Sequence, residues 1–320
     1  MKLTTSIPLV PKYPKITYSS FLVQLGSCFA NNMGERLQHF KFNHITNPFG
    51  VLFHSKAIET LLWMSVNREK YTKEDLFNYN ELWHSFDAHS SLSQSDAGEV
   101  VVTLNKRLSE LYDYLKVATH LSITLGTAWV YRLTSIDLVV ANCHKVPASE
   151  FSKELLSVKE VTNSLLNCLE LIRQVNPSME VIFTVSPVRH KKDGFIENNR
   201  SKAHLFAAIH NVQENDKFIH YFPSYEIMMD ELRDYRFYTP DMLHPNSTAV
   251  AIIWERFCQT WIHKDTRQEM KVIDQIQKSM AHRPLHPNTL SHTTFTKELQ
   301  EKINGIKEKF PFMQFDTLEK

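Results

Sequence analysis

The sequence predicts an α/β fold: a three-layer α/β/α sandwich around a five-stranded, mainly parallel sheet. Three observations predict it. Short apolar β-runs alternate with stretches whose apolar residues recur at helical spacing. The composition, 42% hydrophobic and 22% charged in 320 residues, can fill the core such a sheet needs. The chain holds only seven glycines, and Gly26, Gly50 and Gly126 each fall at or just after a β-like run. There a chain turns sharply or lets a ligand approach its backbone.

The first β-run is Phe21-Leu22-Val23-Gln24-Leu25, which ends at Gly26-Ser27-Cys28. Met33, Leu37 and Phe40 mark a helix after it. A short segment at 42–46 leads into the turn Asn47-Pro48-Phe49-Gly50, and Ile58, Leu61, Leu62 and Met64 mark a second helix. Residues 66–103 are polar and irregular, a long excursion that reads as a lid or binding loop. Leu104, Leu108, Leu111 and Leu115 then lead to the run Leu121-Ser122-Ile123-Thr124-Leu125, which ends at Gly126. A short β-run at 138–141 precedes a long helix expected over 150–174. Further β-runs at 181–185 and 218–222 flank a helix near 198–212, and a closing helix covers about 248–262. Alternation of this kind fits a flavodoxin-like sheet of order 2-1-3-4-5, with the site at the carboxyl ends of the strands. The domain is expected to span 1–262. Residues 263–320, charged and interrupted by Pro284 and Pro287, read as a C-terminal helical extension.

Composition also excludes partners. The net charge of +1 and the absence of like-charge runs give no footprint for nucleic acid. No apolar run is long enough to cross a bilayer, and Met-Lys-Leu-Thr-Thr-Ser-Ile-Pro lacks the core of a signal peptide. Cys28, Cys143, Cys168 and Cys258 are far apart and form no Cys-x-x-Cys pair, so reduced thiols in a cytoplasmic protein are expected.

Ser27 ends an apolar strand, follows a glycine and precedes a helix. That setting suits a nucleophile, because the helix N-terminus faces developing negative charge; it equally suits an ordinary N-cap. Asp241-x-x-His244 adds an orienting carboxylate and a base, the two groups a serine nucleophile needs. A second turn, His286-Pro287-Asn288, repeats His244-Pro245-Asn246 but carries Arg283 where the first has Asp241, so it lacks the orienter. Oxyanion donors are expected from the backbone N–H groups of Ser27 and Gly50. Cys28 reads as a structural thiol rather than a rival nucleophile. His84, Asp87 and His89 have the residue types of an open metal site but no established spacing, so no metal and no cofactor are expected. Trp83, Phe86 and His89 are expected to line the cleft. Arg189 and His190 suit a substrate carboxylate or phosphate, or form a solvated turn; the sequence leaves both open.

Leu25-Gly26-Ser27-Cys28-Phe29-Ala30 resembles the signature of the GSCFA family, which is placed among the SGNH/GDSL-type hydrolases. Asn47-Pro48-Phe49-Gly50, Thr124-Leu125-Gly126-Thr127-Ala128-Trp129-Val130-Tyr131, Ser186-Pro187-Val188-Arg189-His190, Tyr221-Phe222-Pro223-Ser224-Tyr225-Glu226 and Asp241-Met242-Leu243-His244-Pro245 extend the resemblance over roughly 20–260. The resemblance implies an SGNH-type sandwich in which Ser27, Gly50, Asp241 and His244 match the family's blocks. The third block departs from the usual Gly-x-Asn-Asp: it reads Gly126-Thr127-Ala128-Trp129, so Asn142, or the backbone of Gly126 or Thr127, is expected to stand in for the oxyanion asparagine.

The expected function is therefore a serine-dependent ester hydrolase acting on small O-acyl esters, with O-acetylated carbohydrate as the preferred class. An acyltransferase, or a non-catalytic SGNH-fold module that binds a glycan or small ligand, is the alternative.

Overall fold

The computed structural model describes residues 5–214, 216–282 and 289–315. Arg283, Pro284 and the His286-Pro287-Asn288 turn lie outside the described residues.

The chain opens with β1 (Phe21–Gly26), α1 (Cys28–His39) and β2 (Asn43–Thr46), followed by α2 (Ser55–Val66). A hairpin, β3 (Phe77–Tyr79) and β4 (Leu82–His84), precedes α3 (Ala97–Val117) and β5 (His120–Leu125). Next come β6 (Trp129–Leu133), β7 (Leu138–Val140), β8 (Phe151–Leu155), α4 (Val158–Val175) and β9 (Glu180–Val185). The remainder is α5 (Phe195–Gln213), β10 (Ile219–Tyr221), α6 (Ser224–Glu226), α7 (Ser247–Trp261), α8 (Lys264–Ala281) and α9 (Leu290–Lys309).

Five strands form one parallel sheet in the order β10-β9-β5-β1-β2. Counted within the sheet this is 2-1-3-4-5, the expected doubly wound order. Alternation along the strands divides two cores. Val23, Leu25, Ile123, Leu125, Phe183 and Val185 point to α2, α3, α4 and α5. Leu22 and Ile182 point the other way, to α1 and α7 together with α8 and α9. The C-terminal helices contribute Ile273, Ile276, Leu299, Ile303 and Ile306 to that second core.

Several sequence expectations need correction. The fifth strand of the sheet is β2, not the run at 138–141. β2 reads Asn-His-Ile-Thr, only half-buried at the sheet edge, which is why its apolar signal is weak. β7 belongs to a separate antiparallel sheet of order β7-β6-β8. The helix expected from 150 begins at Val158. Residues 151–155 instead pair with β6, and a Ser157–Glu160 capping box starts the helix. The excursion at 66–103 holds the β3–β4 hairpin and the first turns of α3, which Asp96 caps. No described helix is long and apolar enough to cross a membrane. All four cysteines are free thiols.

Among the buried histidines are His54, His120 and His144. His54 Nδ1 accepts the Ala57 N–H, so its Nε2 carries the proton and donates to Val140 O at 3.1 Å. Burial, ahead of any other cause, lowers all three from 6.5 to about 4. Between those values the unfolded chain binds more protons than the folded one. Their contribution to stability is complete above pH 6.5 and lost as the pH falls towards 4. The urea midpoint is therefore expected to fall steadily across that window. A midpoint flat from pH 6.5 to 4 would mean that these rings are solvated.

Candidate active site

The carboxyl ends of β1, β5 and β9 form one rim, and Gly26 sets its geometry. At φ 131 this residue lies against the backbone of β5 so closely that a Cβ would sit 2.1 Å from Thr124 O. Only glycine allows that approach. Asn47, just beyond β2, fixes the turn from the other side: its Oδ1 accepts the Gly26 N–H at 2.8 Å and its Nδ2 donates to Asn31 Oδ1 at 2.7 Å.

Ser27 follows as the N-cap of α1. It is 2% exposed, and its Oγ accepts the Phe29 N–H at 3.3 Å. Since Oγ accepts this bond, its own proton is available to a base. Cys28, half-buried beside it, is a thiol: burial pushes it up, more than the neighbouring Lys202 charge draws it down.

The Asp241–His244 pair is formed. His244 Nδ1 donates to Asp241 Oδ2 at 2.6 Å, which leaves Nε2 as the acceptor. Asp241 Oδ1 accepts from Thr239 Oγ1 at 2.6 Å and from the N–H groups of Leu243 and His244 at 2.9 and 3.1 Å. These bonds, the Thr239 hydroxyl foremost, hold Asp241 well below the usual carboxylate range, so it stays ionised. Met242, at φ 61, closes the turn. The His244 side chain is 47% exposed, and no hydrogen bond joins it to Ser27. The structure thus assembles the Asp241–His244 pair without joining it to Ser27 by a hydrogen bond.

The expected oxyanion donors are occupied. The Ser27 N–H donates to Thr124 O at 3.0 Å, Gly50 to Asn47 O at 2.8 Å and Gly126 to Phe53 O at 2.7 Å. The Asn142 N–H donates to Phe86 O and its Oδ1 accepts the His144 N–H, while its Nδ2 donates no hydrogen bond among the described residues. The three main-chain groups are taken because the rim is laced by main-chain bonds that sequence spacing does not reveal. By contrast, the Cys28 N–H, at the first position of α1, donates to no backbone carbonyl among the described residues.

The insertion contributes one of its expected residues. His89 Cβ lies 2.3 Å from where a Gly50 Cβ would be, and its N–H donates to Phe49 O. Trp83 instead packs on the core of α2 to α5, and Phe86 stacks on Phe77 at 4.0 Å. His84, Asp87 and His89 do not converge. They bond Ser93 and Tyr79, Tyr71, and Ser91 respectively.

Three residues of the site lie on α5 and escaped sequence reasoning. Asn198, Ser201 and Lys202 are all buried, at i, i+3 and i+4 spacing on one face. Asn198 Oδ1 accepts the His190 N–H, and Ser201 Oγ bonds Thr127 Oγ1 and the Ala128 N–H. Lys202 Nζ donates to Gly126 O and Ser186 O, both at 2.8 Å, without a carboxylate partner. The available signal was register: the same face continues as Leu205, Ile209 and Val212, so polar residues in phase with it are buried too. His190 packs beside Gly126 and is lowered to about 4, by burial first and then by the Lys202 charge.

A family model described as GSCFA family matches residues 21–257, and one described as GSCFA domain protein, C-terminal domain, matches 273–319. No curated protein matches the chain.

Burial lowers Lys202 from 10.5 to about 7, an effect the neighbouring Cys28 only partly offsets. Between these values the unfolded chain holds the extra proton, so the lysine's penalty on stability is relieved as the pH rises from about 7 towards 10.5. In urea titrations, wild type is expected to gain on Lys202→Met across that range. A gap between the two that does not change with pH would show a solvated lysine.

Proposed function

The chain belongs to the GSCFA family, whose model covers well over half of it, and from that premise we propose that it is a serine-dependent ester hydrolase of the SGNH type. The observation that carries the proposal is the Asp241–His244 pair, with Nε2 free, on a doubly wound sheet whose first strand delivers Ser27 to the carboxyl rim. In this reading His244 Nε2 takes the Ser27 proton as Oγ attacks the ester carbonyl. The tetrahedral intermediate collapses to an acyl-enzyme and the alcohol leaves with that proton; water then repeats the cycle. If an alcohol replaces water, the same site is an acyltransferase. The Cys28 N–H takes the oxyanion role, as the residue after the nucleophile does in other hydrolases, with the Lys202 charge behind it.

The reading requires the 239–246 turn to bring Nε2 to Ser27 in the substrate complex, since catalytic hydrogen bonds tighten there. Small O-acyl esters are the proposed substrates, and O-acetylated carbohydrate is the preferred class by analogy with the superfamily. The free thiols support a cytoplasmic setting. A second reading, a binding module with this fold, draws support from the occupied N–H groups and from the absence of a Ser27–His244 bond.

Wild-type protein is expected to react with a fluorophosphonate probe and to hydrolyse p-nitrophenyl acetate slowly. Ser27→Ala should abolish both, Cys28→Ala neither, and His244→Ala should lower kcat by about 10²–10⁴-fold. Labelling and turnover no greater than in Ser27→Ala would favour the binding module. Activity is also expected to survive a chelator; loss on chelation with recovery on adding zinc or manganese would refute the metal-free mechanism.

A further inference from the structure

Arg189 stands on the loop that leaves β9, and the chain is pinned on both sides of it. The Val188 N–H donates to Ser186 Oγ at 3.4 Å, and the His190 N–H to Asn198 Oδ1 at 3.0 Å. The side chain is half-buried, its Nε is covered and has no acceptor, and the guanidinium forms no ion pair or hydrogen bond among the described residues. An anchored guanidinium with its donors unanswered is uncommon, because a covered polar group normally finds a partner.

Acids on the adjoining segments are already engaged. Asp193 pairs with Lys153, Glu197 with Arg200, Asp241 with His244 and Thr239, and Glu226 with the Tyr221 hydroxyl. Arg189 acts electrostatically on Tyr238, three positions before Asp241 on the segment that carries the proposed pair. β1, β5 and β9 are neighbours, and strands lie about 4.8 Å apart, so the ends of β1 and β9 are roughly 10 Å apart. One small ester spans that distance.

Resting on the esterase reading, we propose that Arg189 is an anion-binding residue of this rim and that the ester cleaved at Ser27 carries a carboxylate or phosphate. With an acyl group of acetyl size, the charge belongs to the alcohol. The planar guanidinium fork matches either anion with two parallel hydrogen bonds. A neutral sugar acetate offers these donors only uncharged oxygens; an acidic or phosphorylated one also supplies the counter-charge.

The test compares phenyl acetate with 3-acetoxybenzoate and 3-acetoxyphenyl phosphate, which share the acyl group and differ in charge. In wild type, kcat/KM for at least one charged ester is expected to exceed that for phenyl acetate by about 10–100-fold. Which of the two is favoured identifies the anion. The ratio should fall to near one in Arg189→Gln and recover in part in Arg189→Lys, which keeps the charge but not the fork. In parallel, the products 3-hydroxybenzoate and 3-hydroxyphenyl phosphate are tested for raising the Tm of wild type but not of Arg189→Gln. Equal kcat/KM for charged and neutral esters, unchanged in Arg189→Gln, would overturn the anion site and leave the esterase standing. No turnover above Ser27→Ala, with Tm still raised by a product in wild type alone, would sustain the anion site and remove the esterase. Neither turnover nor a Tm shift would overturn both.

Discussion

The Lys202 ammonium group spans the two central strands where the chain leaves them. By donating to Gly126 O and Ser186 O it holds the loops after β5 and β9 at one separation. Ser201 next to it and Asn198 one turn earlier, on the same helix face, fix Thr127, Ala128 and His190. Every rim loop next to Ser27 on that side is therefore set by α5. A lysine without a carboxylate is a costly choice for this task, since its charge is desolvated without a counter-charge. Two carbonyl oxygens and the adjacent thiol temper that cost.

The proposed nucleophile and the proposed base are held by different kinds of structure. Ser27 sits at the junction of the sheet and α1, behind a glycine that no other residue can replace without moving β5. Asp241 and His244 belong to a turn that is complete in itself. The Thr239 N–H donates to His244 O, the Asn246 N–H to Phe237 O, and Asn246 then caps α7. The geometry of the pair thus does not depend on Ser27, and the turn can present the imidazole without rebuilding it.

What the sequence disclosed follows from where each residue is buried. Val181-Ile182-Phe183-Thr184-Val185 lies in the sheet interior and is covered on both faces, so it reads as an apolar run. β2 lies at the edge, half-buried, and β8 lies in a small outer sheet, so neither is apolar enough to stand out. Asp241 and His244 were legible because they stand three positions apart and local geometry brings them together. The occupancy of the expected oxyanion donors was not, because whether the Gly50 or Gly126 N–H is free depends on Asn47 O and Phe53 O, which the fold supplies. Asn198, Ser201 and Lys202 look like a solvated face until the strand ends beneath them are known.

The helices at the C-terminus bear on how the chain is made. Phe29, Met33 and Leu37 of α1 share a core with Ile273, Ile276, Leu299, Ile303 and Ile306. A nascent chain emerging from the ribosome completes the α2-to-α5 side of the sheet well before these last residues appear. Until then the helix that begins at Ser27 keeps much of its apolar face in water, where chaperones and neighbouring chains can reach it. The opposite core is built largely from sequence-local segments, whereas this one closes a loop of some 250 residues, the slow kind of contact to form. A stop codon anywhere in the last two helices would leave the sheet and the Asp241–His244 turn encoded in full, yet strand them on a half-covered domain.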